Sequence, residues 1–95
     1  MSVRLIKIEK SIKPQKKLQA VFSINGKNKT VHFGASHYED FTKHKDTERK
    51  RLYILRHQKE DWTDPTKAGT LSRFILWNKK DIKSSIKDYS KRFSV

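Results

Sequence analysis

Leu18, Ala20, Phe22 and Ile24 alternate with Gln19, Val21, Ser23 and Asn25, and Gly26 follows. A period of two puts the first set on one side of an extended chain, which reads as a half-buried β-strand. Asn25-Gly26 then reverses the chain, because both residues tolerate positive φ. Residues 30–33 return with Val31 and Phe33 on one face. A four-residue loop sets Val31 opposite Phe22 and Phe33 opposite Ala20; a two-residue loop keeps the faces and shifts the register. Both remain open at this point. Residues 3–8 supply another strand, set off by the polar break Lys13-Pro14-Gln15-Lys16. Three such strands are stable only if something covers their apolar face.

The remainder of the chain changes period. Gly34 ends the sheet, and Ser36-His37-Tyr38-Glu39 has the form of a capping box, predicting a short helix over about 36–44. Asp46 is a second candidate N-cap, for a helix through about residue 57 with Leu52 and Leu55 three apart. Residues 58–66 are polar, contain Asp64-Pro65 and read as a loop. A third helix is expected over about 67–78, with Ala68, Leu71, Phe74 and Ile75 on one stripe and Trp77 at its edge. A last helix over about 81–93 carries Ile82, Ile86, Tyr89 and Phe93 at spacings of four, three and four. Strands first and helices after predict an α+β fold: a small antiparallel sheet of about three strands with three or four helices packed on it. The 95 residues are expected to form one domain, 1–95.

The chain carries a formal charge of +13, unevenly spread. Residues 1–35 have eight lysines and arginines against one acid, residues 36–64 have seven of each, and residues 65–95 have eight against two. Two basic arms thus flank a neutral middle. A surplus of this size points to a polyanionic partner, nucleic acid first. Lys83, Lys87 and Lys91 form a stripe at helical spacing, and Lys79, Lys80 and Arg92 extend it. Like charges four apart cost a few tenths of a kcal/mol each, which binding would offset. On the sheet and its turns the candidates are Lys7, Lys16, Lys17 and Lys29. Of the 23 cations 17 are lysine, so phosphate contact is expected ahead of base reading. Trp62, in its polar loop, is either a base-stacking ring or a cap on the core edge, the latter ranked first.

The middle holds ligand-type side chains. On a helix His37, Asp40 and His44 would share one face, a partial constellation for a divalent metal. Caps and ion pairs explain the same residues more simply. Tyr53 and His57, four apart beside Arg49 and Arg56, resemble a nucleophile–base pair as well as ordinary helix neighbours. Gly69, near the expected start of the third helix, offers backbone N–H groups to one phosphate, as almost any helix start does. No cofactor is implied. With no cysteine there is neither a disulfide nor a thiolate zinc site. No apolar run approaches the ~20 residues of a membrane span, and the first residues lack the apolar stretch of a secretory signal. The expectation is a non-secreted, non-membrane protein.

Phe33-Gly34-Ala35-Ser36-His37-Tyr38-Glu39-Asp40-Phe41, Lys45-Asp46 with Arg49, Tyr53 with Arg56-His57, residues 64–72, Ile75-Leu76-Trp77 and the closing Ile86, Tyr89, Arg92-Phe93 carry a family resemblance. The chain resembles short, basic proteins of unknown function encoded by large DNA viruses of algae and protists and by some marine phages. The resemblance implies a viral setting, within an infected host cell or inside the virion, and no catalytic residue. Three readings follow, in order: sequence-tolerant nucleic-acid binding, DNA ahead of RNA; an interior structural or minor capsid protein contacting virion proteins; and a small metal-dependent nuclease centred on His37, Asp40 and His44.

Overall fold

The computed structural model describes residues 2–95. Strands β1 (Val3–Lys10), β2 (Lys16–Ile24) and β3 (Lys27–Ala35) form one antiparallel sheet in the order β1-β2-β3. Asn25 and Gly26 make a two-residue turn with φ of 51° and 84°. This settles the register: Val31 lies opposite Ala20 and Phe33 opposite Leu18. The turn suits the right-handed twist of the two strands it joins. A bulge between Leu5 and Lys7 leaves Leu5 facing Phe22 and Ile8 facing Ala20, so the apolar face survives the irregularity.

Four helices follow: α1 (Phe41–His44), α2 (Thr47–His57), α3 (Ala68–Leu71), which runs into a π-helical turn at Ser72–Leu76, and α4 (Ile82–Phe93). The α+β architecture is therefore the one the patterning predicts. Asp46 caps α2 by accepting from Glu48 and Arg49 N–H, and Asp81 caps α4 by accepting from Ser84 N–H. The capping box at Ser36 does not form. Ser36 N–H instead donates to the Gln15 carbonyl at 3.0 Å, and the chain makes a turn closed by Tyr38 N–H on the Ala35 carbonyl at 3.3 Å. Asp40 takes the cap, accepting from Thr42 N–H, so α1 starts five residues later than expected and His37 precedes it. Gly69 lies inside α3 rather than ahead of it. A Cβ there would stand 2.7 Å from the Glu60 carboxylate, which opposes an anion at that point.

The core joins sheet and helices. Ala20, Phe22, Phe33, Leu71, Phe74, Ile75, Leu76 and Tyr89 form one buried cluster, with Val3, Leu5, Ile8, Ile86 and Phe93 packed around it. Burying each large side chain is worth roughly 1.5–3 kcal/mol. The π turn explains three consecutive buried residues, Phe74, Ile75 and Leu76. Its wider turn, closed by Trp77 N–H on the Ser72 carbonyl at 3.1 Å, rotates less per residue. The expected stripe is corrected accordingly: Ala68 is exposed and Leu76 is buried in its place. On α4, Tyr89 is fully buried, while Ile82 at the other end of the stripe is exposed. Tyr89 Oη donates to the Pro65 carbonyl at 2.5 Å, and Asp64 accepts from both Thr66 N–H and its hydroxyl, so the Asp64-Pro65-Thr66 turn is fastened to the core. No helix among the described residues is long and apolar enough to cross a membrane.

Candidate nucleic-acid interface

Three distant pieces of sequence meet beside α1. The β1–β2 turn brings Lys10, Lys13 and Lys16; α1 and its C-cap bring Lys43 and Lys45; the entry to α4 brings Lys80 and Lys83. They line two adjoining depressions that share Thr42, Lys43 and Ile82, so seven lysines follow one continuous groove. The left-handed residue Lys45, with φ of 54°, turns the chain at the end of α1 and sets Lys43 and Lys45 on this side. None of the seven forms an ion pair with a described residue. The one exposed acid on the lining is Asp81, which is spent on the α4 cap. Ser84, first through its N–H, and then Lys45 and Lys83 hold its carboxyl below the ordinary value, so it stays ionised.

Along α4 the lysines extend past the groove. Lys83, Lys87 and Lys91 are all exposed, four residues apart, which separates their Cα atoms by about 6 Å along the axis. Of the sequence candidates, Lys16, Lys80 and Lys83 line the groove, and Lys87 and Lys91 follow Lys83 along α4. Lys17 is not free for it. Its ammonium sits 2.5 Å from the Asp40 carboxylate, with the two side chains 16% and 5% exposed, forming a largely buried pair in the groove wall. Lys7 pairs with Glu9 at 3.2 Å on the sheet. Arg92 pairs with Asp88 and lies over the Phe74 ring. Lys29 does not line the groove, and its charge acts on Asp64. Lys10, Lys13, Lys43 and Lys45 were not singled out by sequence. Lys43 and Lys45 were hidden because a segment charge averages them with Glu48, Glu60, Asp61 and Asp64, which do not line the groove.

The metal constellation does not assemble. His37 is exposed ahead of α1. Both oxygens of Asp40 are engaged, one by Lys17 and one by the N–H and hydroxyl of Thr42. His44 Nδ1 accepts from Asp46 N–H at 2.9 Å. Among the described residues no three histidine or acidic side chains converge on a metal position. Trp62 serves the core edge, its ring meeting Phe74 at 6.3 Å with the Arg73 guanidinium over it.

Tyr53 and His57 belong to a column of rings. Phe41, His44, Trp77, Tyr53 and His57 follow one another with centroid separations of 6.3, 5.3, 4.3 and 4.3 Å, and Trp77 and Tyr53 are parallel within 2°. Burial raises the Tyr53 phenol to about 12, the wrong direction for a nucleophile. His57 Nδ1 pairs with Glu60, and the imidazole meets Tyr53 ring to ring rather than at its hydroxyl. The column ties α1, α2 and the π turn together. Lys50 helps, donating to the Asn78 carbonyl at 2.6 Å and lying over Phe41. Beside the column, between α2 and the end of β3, is a cleft of about 440 Å³.

The sequence profile of a family of unknown function (DUF5754) matches residues 6–57. The chain belongs to that family. The DUF5754 match runs from within β1 to the end of α2, and so includes the groove lysines from Lys10 to Lys45 and eleven of the fourteen residues lining the cleft. It leaves out the α4 stripe. No curated protein and no solved structure matches the chain.

Proposed function

We propose that this protein binds nucleic acid through phosphate contacts, with little sequence preference, along the groove beside α1 and the lysines that follow it on α4. The observation that carries the reading is the meeting, from three separate segments on one surface, of seven lysines with no ion-pair partner among the described residues. Gathering like charges raises the folding free energy, and a polyanion relieves it. Lysine is a point charge, suited to phosphate oxygens on any sequence. DNA ranks ahead of RNA, and a viral protein associated with its genome or housed in the virion is the setting, a placement supported by the resemblance of the sequence.

The test is a pair of charge reversals. Lys43→Glu/Lys80→Glu/Lys83→Glu empties the centre of the groove, whereas Lys7→Glu/Lys27→Glu/Lys29→Glu removes three lysines outside it. The first is expected to weaken binding of a labelled duplex at least tenfold more than the second, with circular dichroism unchanged in both. Equal losses would reduce the interaction to net charge. No binding by the parent protein at low salt would turn the basic groove toward a protein partner, such as an acidic shell in a virion.

A further inference from the structure

α2 is an eleven-residue helix with no buried residue. It contributes nothing to the core cluster and is held by the Tyr53–Trp77 stack and by Lys50. Its inward side forms one wall of the 440 Å³ cleft, a volume within the ~300–1,000 Å³ of small-ligand pockets. Arg49 and Arg56 stand seven residues apart, so both lie on that side with Leu52 and Tyr53 between them. Neither guanidinium has a hydrogen-bonding or ion-pair partner among the described residues. The facing wall supplies Leu76, and Tyr38, a residue 74% exposed, lines the cleft. Two carboxylates also line it. Asp40 is neutralised by Lys17, and Glu39 is exposed.

We infer that the cleft is a pocket for one unpaired nucleotide, its phosphate held by Arg49 and Arg56 and its base lying against Leu52, Leu76 and the Tyr38 ring. Guanidinium groups recognise phosphate bidentately, and an exposed aromatic ring offers a face to any base. Glu39 then faces the base rather than the phosphate, as an acceptor for an exocyclic amino group. The faces of Tyr53 and Trp77 are already covered by the ring column, which leaves Tyr38 as the stacking surface. The cleft and the lysine groove share Lys17, Asp40 and Leu76 as a common wall, so the two lie side by side, within reach of one strand. This deepens the proposed function and rests on it: the protein should prefer single strands, which alone offer an unpaired base.

The experiment titrates ¹⁵N-labelled full-length protein with deoxyadenosine monophosphate and, separately, with inorganic phosphate, and follows amide shifts. In parallel, affinities for a single-stranded oligonucleotide and a blunt duplex are measured for the parent, Arg49→Gln/Arg56→Gln and Tyr38→Ala. Nucleotide-induced shifts centred on α2 and residues 34–40, abolished by the arginine pair, are expected. A single-strand preference of at least tenfold, lost in both variants while duplex affinity stays within twofold, is expected with them. Inorganic phosphate matching the nucleotide would overturn the inference by reducing the cleft to an anion site. Duplex and single strand binding equally, with no nucleotide shifts in the cleft, would overturn it and leave the groove reading standing. If neither polymer binds, both readings fall.

Discussion

Gly34 shows how one residue positions the site. It sits in β3 with φ of +80°, and a Cβ there would lie 2.5 Å from Leu76 Cδ1 and 3.4 Å from Lys17 Cβ. The missing side chain lets the π turn settle on the end of the sheet, which sets the back wall of both cleft and groove. Gly26 has nearly the same φ, +84°, but open space around it. Alanine at either position meets the left-handed penalty of roughly 1–2 kcal/mol, and only Gly34→Ala adds overpacking of about 1–3 kcal/mol. Urea denaturation of the two variants should therefore show Gly34→Ala to be the less stable by at least ~1 kcal/mol. Equal losses would mean that Leu76 moves aside freely. Asp40 is the other residue with several partners, capping α1 and neutralising Lys17 at once. That double engagement is why it is unavailable to a metal, and only the sheet's contact with α1 reveals it.

At the scale of elements, local chemistry was legible and non-local chemistry was not. The β2–β3 hairpin follows from alternation and Asn-Gly, and α2 and α4 begin where Asp46 and Asp81 announce them. The Ser36 box misled because its serine N–H is claimed by Gln15, twenty-one residues earlier in the chain. The π turn leaves no local mark, since its cause is the seating of Leu76 over Gly34. The ring column has the same character: Tyr53 and His57 are visible as helix neighbours, but Trp77 and His44 join them only in the fold. Because no residue of α2 is fully buried, it is expected to open locally before the core does. Tyr53→Ala should raise hydrogen exchange across α2 by tenfold or more while exchange in β2 stays unchanged. Uniform acceleration in both elements would show α2 to be part of the cooperative core.

For the whole molecule, stability and binding depend on charge in different ways. Asp64 is held below its ordinary value of 3.8 by the Thr66 hydroxyl and N–H, Asp81 by Ser84, and Asp88 by Asn78 and then Arg92. These depressed carboxyls stabilise the fold above pH 3.8, and that contribution is lost as pH falls through their folded values. Burial raises Tyr53 to about 12 and Tyr89 upward as well, from 10.0. Raised phenols stabilise the fold fully below pH 10, and this is lost as pH rises toward 12 and beyond. Thermal melts should show a plateau between about pH 5 and 9 with falls on both sides, and a fall on the alkaline side beginning below pH 8 would contradict the assignment to the tyrosines. The groove itself was beyond the reach of sequence, because residues 10–16, 43–45 and 80–83 meet only through the folded path of the chain.

The central claim is that these lysines act together on phosphate. Each phosphate neutralised on duplex DNA contributes about −0.9 to the slope of log affinity against log salt, so seven groove lysines predict a slope of about −6. The measurement is fluorescence anisotropy of a labelled duplex with the parent protein, repeated across salt concentrations. A slope near −6 that falls to about −4 in Lys43→Glu/Lys80→Glu/Lys83→Glu is the predicted result. A slope shallower than about −2, or one that the three reversals leave unchanged, would contradict it.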